Sequence, residues 1–138
     1  MKLLDIKGRL RNKNVSKYLI NWDGKSRSNI QFTVKQFLKP YWFGCLCYEE
    51  FPVYSTLLKV DILNTTYKIA VEVNGTQHHA FNPHFHNNNK FNWLQSMRRD
   101  IRKAEWLELN GFKLVEIEQH EVKLISKEFF KEKFDVTL

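Results

Sequence analysis

Hydrophobic and polar positions alternate most regularly between residues 59 and 75. Val60 and Ile62 alternate with Lys59 and Asp61, and Ile69, Val71 and Val73 alternate with Ala70 and Glu72. Period-two alternation of β-branched residues is typical of strands, and the intervening Asn64-Thr65-Thr66 has turn chemistry. The segment therefore predicts two adjacent strands joined by a tight turn.

Apolar residues at three- and four-residue spacing predict helices on both sides of this hairpin. Ser28, three residues before Gln31, begins the first helix as a capping residue, and Pro40 is expected to end it near Lys39. A second helix spans 92–110 and stops at Gly111. The remaining predicted elements are a strand at 45–53, a strand at 112–117 and a closing helix at 121–134. A strand, a crossover helix and another strand predict a parallel pairing.

The helix at 92–110 carries an acid inside its apolar stripe. The stripe consists of Trp93, Leu94, Met97, Ile101, Ala104 and Leu107, and Asp100 falls among them, whereas Arg98, Arg99, Arg102 and Lys103 fall outside it. An unpaired Asp on a buried face costs several kcal/mol. Asp100 is therefore expected to face the sheet and a charged partner, unless it lies at the edge of the stripe.

Two further acids occupy the predicted hairpin. Asp61 lies in one strand and Glu72 in the next, although neither residue type favours strands. Strands lie about 4.8 Å apart, so the two carboxylates can converge on one site. Hard oxygen ligands held in this way suit Mg²⁺ or Mn²⁺. The alternative is that both acids lie on a solvated rim.

Composition limits the class of protein. The chain has 138 residues, enough for one domain with a core, and 43% of them are apolar. No apolar run is long enough to span a membrane or to act as a secretory leader. Cys45 and Cys47 form no Cys-x-x-Cys motif, which favours a reduced, cytoplasmic setting. His84 and His86 lie in an Asn-rich loop, where polar surface is a more common role than zinc binding.

Positive charge is concentrated near the N-terminus. The net charge is +7, and residues 1–30 hold eight of the 22 basic residues but only two of the 15 acidic ones. Such a distribution is the electrostatic pattern of a polyanion binder. We therefore expect a basic N-terminal extension at 1–27, followed by the main domain at 28–138.

In this order the motifs resemble the PD-(D/E)XK nuclease superfamily, and in particular its very-short-patch-repair-like branch of small phage, bacterial and homing endonucleases. The resemblance covers about residues 45–118. It consists of V-D-I at 60–62, A-V-E-V-N-G-T-Q-H at 70–78, Arg99-Asp100 followed by Lys103, and N-G-F-K-L-V-E-I at 110–117. It implies a restriction-endonuclease-like α/β fold, a mixed sheet flanked by helices, and a metal-dependent DNA endonuclease.

The resemblance also implies roles for individual residues. Asp61, Glu72 and the carbonyl of Val73 hold Mg²⁺ or Mn²⁺; His78 acts as general base or orients water; Asp100 supports it; and Gln77 contacts the phosphate. Contacts with the DNA phosphate backbone are expected from Arg98, Arg99 and Arg102 and from the N-terminal Arg9, Arg11 and Lys13. The partner is then double-stranded DNA, and a clean double-strand cut requires a homodimer or two successive nicks. The expected location is the cytoplasm, or the host cytoplasm for a phage-encoded protein.

The sequence departs from the family pattern at the lysine of Glu-x-Lys. Here the motif reads Glu72-Val73-Asn74, and His78, or the adjacent His79, takes the place of the missing lysine. The family's additional acid or amide corresponds to Gln31, Glu49 or Glu50, of which Glu50 lies nearest the hairpin along the chain. Two other functions remain open, a structure-specific resolvase or recombination nuclease, and an inactive DNA-binding protein on the same fold.

Overall fold

The computed structural model describes residues 1–75 and 90–138, with side chains from residue 94 onwards in the second range. This part of the chain forms a four-stranded mixed sheet flanked by helices, together with a two-stranded hairpin. The strands are β1 (Lys2–Leu4), β2 (Leu10–Asn12), β3 (Cys47–Pro52), β4 (Lys59–Asn64), β5 (Ile69–Asn74) and β6 (Lys113–Glu118). The α-helices are α1 (Asn29–Trp42), α2 (Lys90–Leu109) and α3 (Lys127–Phe134). The predicted mixed α/β fold is confirmed.

The main sheet has the strand order β3-β4-β5-β6. Neighbours in the β3-β4-β5 part are antiparallel, and β5 pairs with β6 in parallel through the α2 crossover. The predicted hairpin and the predicted parallel pairing are therefore both present. Gly111 ends α2 with φ +79°, a conformation that favours glycine.

Each face of the sheet carries its own apolar core. On one face α1 and α3 pack through residues such as Trp42 and Phe130 against Val71 and Ile117. The other face is covered by the C-terminal half of α2 and by the N-terminal hairpin. Its core includes Leu3, Val15, Phe51, Leu63, Ala70, Trp106 and Leu107.

The rotation of α2 differs from the prediction. Leu94 and Ile101, both in the predicted stripe, are 45% and 52% exposed, whereas Trp106, outside the stripe, is buried; Leu107 is buried as predicted. Trp106 fixes the helix by donating its indole N–H to the carbonyl of Leu4 at 2.7 Å. The inward face of α2 therefore includes Lys103, which the apolar stripe excludes.

Two helix boundaries also differ from those predicted. The first helix continues through Pro40 to Trp42: Pro40 cannot donate a helix hydrogen bond, but the helical path buries Trp42 in the core. The closing helix is interrupted: a 3₁₀ helix (Gln119–Leu124) precedes α3, and Ser126 caps α3 by accepting a hydrogen bond from the N–H of Phe129. Among the described helices, none is both long and apolar enough to cross a membrane.

Candidate metal and nucleic-acid site

The candidate site lies where β4 and β5 separate. Their pairing runs from Asn64 opposite Ile69 to Ile62 opposite Val71, and Asp61 and Glu72 are the next residues on the two strands. Beyond this point, within the part of the chain that the structure describes, β4 pairs with β3 alone and β5 with β6 alone. The fork opens into a cleft of about 380 Å³ that is also lined by α2.

The two acids of the fork are almost fully buried and brace each other. Asp61 is 2% exposed and Glu72 is 6% exposed. The backbone N–H of Asp61 donates to Oε2 of Glu72 at 3.1 Å, and the N–H of Val73 donates to Oδ2 of Asp61 at 2.8 Å. The carboxylate oxygens thus accept hydrogen bonds from backbone N–H groups that do not pair with the neighbouring strand at this point. One oxygen of each acid is held in place by the backbone.

The second oxygen of each acid contacts a side-chain cation. Oδ1 of Asp61 lies 3.2 Å from Nη2 of Arg27, and Oε1 of Glu72 lies 2.6 Å from Nζ of Lys103. Lys103 also donates to the carbonyl of Lys59 at 3.2 Å. Both cations line the cleft. The cleft therefore presents two fixed carboxylates that face positive charge.

Burial and the nearby Glu72 raise the pKa of Asp61 to about 8, although Arg27 and the Val73 N–H act in the opposite direction. For Lys103, burial disfavours the charged form, but the nearby acids Glu72, Asp61 and Asp100 together outweigh burial and raise the pKa of the ammonium above its ordinary value. The site thus holds Lys103 as a cation, and burial beside Glu72 makes the charged form of Asp61 less favourable than it is in water.

Glu50 adds a third acid at the mouth of the fork. It lies on β3 beside Asp61 and lines the cleft, with Oε1 at 3.8 Å from Nε of Arg27. Its φ of +53° is unusual for a residue with a side chain, and such strain costs about 1–3 kcal/mol. The alternation of side chains between the two faces of the sheet is interrupted in β4 at this point. Val60 packs in one core and Ile62 in the other, although a regular strand would place both side chains on the same face.

The rival candidates for the additional acid or amide occupy different places. Glu49 is bound to the fully buried Lys35, to Ser26 and to Gln31, and it is not among the residues lining the cleft. Gln31 is buried and donates to both Glu49 and Glu50. Of the three, Glu50 alone lines the cleft.

The α2 helix contributes further residues of the cleft. Asp100, Arg99 and Ser96 line it together with Val73. Gln77, His78 and His79 lie outside the described residues, as do His84 and His86.

The predicted DNA-binding residues lie on two elements of one face of the sheet. Arg98 and Arg102 are exposed on α2. Arg9, Arg11 and Lys13 are exposed on or next to the hairpin, where Arg11 pairs with Asp5 at 3.2 Å. Ile6 of the hairpin turn and Arg102 line the same groove, so the two basic elements adjoin.

Two cleft residues, Lys103 and Arg27, are missing from the candidates chosen on sequence grounds. Lys103 belongs to the resemblance motif, but the apolar stripe places it outside the inward face. The four-residue and three-residue steps from Arg99 through Lys103 and Trp106 to Asn110 give the observed phase. No local pattern marks Arg27, because its partners are 23 and 34 residues away.

The donor set fits a hard divalent cation with few protein ligands. Asp61 and Glu72 each present one oxygen that now contacts a side-chain cation, and such an oxygen can accept a metal ion in its place. Among the described residues, no cluster of three His, Cys, Asp or Glu side chains has metal-binding geometry. Mg²⁺ commonly uses one or two carboxylates and keeps several waters, and this donor set matches that preference.

Comparison with known proteins gives one informative similarity. A 66-residue segment is 36% identical to "Uncharacterized protein 033L" of Invertebrate iridescent virus 3, covering 48% of the chain and 34% of that protein. The matched segment is thus about a third of the relative's length, and the relative's name states no activity. No family model and no solved structure matches the chain.

Proposed function

We propose that this chain is a metal-dependent DNA endonuclease that hydrolyses phosphodiester bonds with Mg²⁺ or Mn²⁺. The observation that carries the proposal is the strand fork, in which backbone N–H groups fix one oxygen of Asp61 and one of Glu72 and leave the other two directed at cations. The resemblance to PD-(D/E)XK nucleases, carried by the motifs around these residues, supports the same function.

The residues of the cleft have complementary tasks in this reaction. Asp61 and Glu72, with the carbonyl of Val73 and with Glu50 nearby, would hold the divalent ion. When bound, this ion supplies an activated water and neutralises charge on the scissile phosphate. Lys103 pairs with Glu72 and adds positive charge to the cleft. Because Lys103 is a cation, it does not accept the proton of water, and that role remains with His78 or His79.

The basic surface of the same face would hold the DNA. Arg98, Arg99 and Arg102 on α2 adjoin the hairpin residues Arg9, Arg11 and Lys13, and arginine and lysine neutralise phosphates without reading sequence. A homodimer, and a location in the cytoplasm or the host cytoplasm, belong to the same proposal. The viral relative agrees with a virus-encoded protein.

Incubation of the protein with supercoiled plasmid tests the proposal. We expect nicked or linear plasmid with Mg²⁺ or Mn²⁺, none with EDTA, and at least a hundredfold less with Asp61→Asn, while plasmid binding is retained. Asn64→Ala is the control, because Asn64 lies on the same strand and outside the cleft. Full cleavage by Asp61→Asn would contradict the assigned site.

A DNA-binding protein without nuclease activity is the second candidate. It is favoured by the ion pairs of Asp61 with Arg27 and of Glu72 with Lys103, because both acids already have cationic partners. Salt-sensitive plasmid binding without cleavage under either metal would support this candidate instead.

A further inference from the structure

The side chain of Arg27 occupies a position between two acids and open solvent. Its Nη2 lies 3.2 Å from Oδ1 of Asp61, and its Nε lies 3.8 Å from Oε1 of Glu50. The Arg27 side chain is 63% exposed, whereas that of Asp61 is 3% exposed. The guanidinium therefore covers the accessible oxygen of an otherwise buried carboxylate.

The backbone around Arg27 is anchored on both sides. Ser26 donates its hydroxyl to Oε2 of Glu49 at 2.6 Å, and Ser28 caps α1 by accepting the N–H of Gln31. The preceding turn is held by Lys35, whose ammonium donates to the carbonyls of Asn21 and Gly24. These contacts fix the backbone of Arg27 at the mouth of the cleft, while its side chain is exposed to solvent.

We propose that Arg27 is a substrate-binding residue that exchanges Asp61 for a DNA phosphate when the metal binds. This inference rests on the proposed nuclease function. A divalent ion at Oδ1 of Asp61 and the Arg27 guanidinium compete for the same oxygen and repel each other. A phosphate at the cleft offers the guanidinium a bidentate partner that does not compete with the ion.

The exchange couples the binding of the metal ion to the binding of DNA. Metal alone must displace Arg27 from Asp61, so it binds weakly. DNA draws the guanidinium away from the acid and thereby strengthens metal binding, and metal strengthens DNA binding by the same factor. The cleft would thus bind its metal firmly only when a phosphate is present.

The effect can be measured without cleavage. We would titrate Mn²⁺ into the full chain and follow free Mn²⁺ by electron paramagnetic resonance, with and without a saturating 20-base-pair duplex that carries phosphorothioate linkages. Variants are Arg27→Gln and the conservative Arg27→Lys. The control is Lys25→Gln, which removes one positive charge from an exposed residue two positions away. Melting temperatures confirm that each variant is folded.

We expect Arg27→Gln to bind Mn²⁺ roughly fivefold to tenfold more tightly than wild type without DNA, and to lose most of the increase that DNA produces, a range typical of coupled sites. Arg27→Lys should retain part of the coupling, and Lys25→Gln should behave as wild type. Mn²⁺ affinities of Arg27→Gln equal to those of Lys25→Gln, with and without duplex, would overturn the inference. Weaker Mn²⁺ binding by Arg27→Gln would overturn it too, because Arg27 would then merely support Asp61.

Failure of this inference differs from failure of the proposed function. If wild-type protein binds Mn²⁺ and cleaves plasmid but Arg27→Gln shows no change in coupling, only the role of Arg27 is wrong. If wild-type protein binds no Mn²⁺ with or without duplex, the metal site and the Arg27 inference are both wrong.

Discussion

At the scale of single residues, the carboxylates of the fork are held by the backbone and balanced by two cations. The N–H groups of Asp61 and Val73 fix one oxygen of each acid, and Arg27 and Lys103 contact the other two. An acid pair fixed in this way needs little rearrangement when a cation replaces a side chain. Preorganisation of this kind is how a buried site stabilises charge that develops during a reaction.

Lys103→Met is expected to reduce cleavage by about a hundredfold or more, because the site loses the cation nearest to Glu72. Methionine keeps most of the length of the side chain, so the loss reports charge rather than volume. The measurement is the initial rate of plasmid nicking under saturating Mn²⁺. Lys123→Met, at an exposed lysine outside the cleft, is the matched control and should leave the rate unchanged. Equal nicking rates for the two variants would contradict a role of Lys103 in cleavage.

The pKa of Asp61 predicts how stability depends on pH without metal. Because this pKa is raised in the folded state from about 4 to about 8, the folded protein binds more protons than the unfolded chain between these values. The contribution of Asp61 to stability is therefore full below pH 4 and falls as pH rises through 8. Melting curves in EDTA from pH 5 to 9 should show a decline for wild type that is smaller in Asp61→Asn. Parallel curves for the two proteins would contradict the raised pKa.

At the scale of elements, the strands and helix ends that could be predicted are those marked by residues close to them in the sequence. Alternation in 59–75 gave the hairpin, and Gly111 gave the end of α2, because each depends on neighbouring residues. The rotation of α2 was not predictable from its apolar stripe. Trp106 bonds to Leu4, more than 100 residues away, and this contact turns Lys103 towards the sheet.

The residues of the candidate site likewise divide into those that a sequence pattern marks and those that it does not. Asp61 and Glu72 stand out because acids are unusual in strands, and the structure places both in the cleft with Asp100 and Glu50. Arg27 approaches them from a separate segment, so no spacing rule applies to it. The left-handed backbone of Glu50 is equally hidden, because neither Gly nor Asn marks that position.

The side chain of Asn110, directly after α2, adds to the bond of Trp106 in tying the N-terminal hairpin to this helix. Asn110 accepts the N–H of Leu4 at 2.8 Å and donates to the carbonyl of Leu4 at 3.1 Å. Asn110→Ala removes the partner of the Leu4 N–H, while the Leu4 carbonyl keeps the indole N–H of Trp106, so it should lower the free energy of unfolding by about 1–3 kcal/mol. Urea unfolding measures the change, with Asn14→Ala, whose bonds are local and exposed, as the control. A loss no larger than that of the control would show that the hairpin is held by other contacts.

At the scale of the whole molecule, the two faces of the sheet differ in what they present. One face carries α1 and α3, and the other carries α2, the basic hairpin and the opening of the fork. If DNA binds at the cleft, phosphate contacts should come from the second face.

Charge variants on the two sides of the sheet test this expectation. Arg98→Gln combined with Arg102→Gln should lower the slope of log Kd against log salt concentration by about two, one for each phosphate that is no longer neutralised. Lys127→Gln combined with Lys131→Gln on α3 removes the same charge from the other side and should leave the slope unchanged. Fluorescence anisotropy of a labelled duplex gives both slopes. Equal slopes for the two pairs would contradict binding on the α2 face.

The most direct measurement is a crystal of the wild-type chain soaked in MnCl₂, with anomalous diffraction collected at the manganese edge. We expect one strong peak bonded to both Asp61 and Glu72, with the side chain of Arg27 withdrawn from Asp61, and no such peak in crystals of Asp61→Asn. A wild-type crystal at millimolar Mn²⁺ without a peak in the fork, and with Arg27 and Lys103 still on the two acids, would show that the fork is not a metal site.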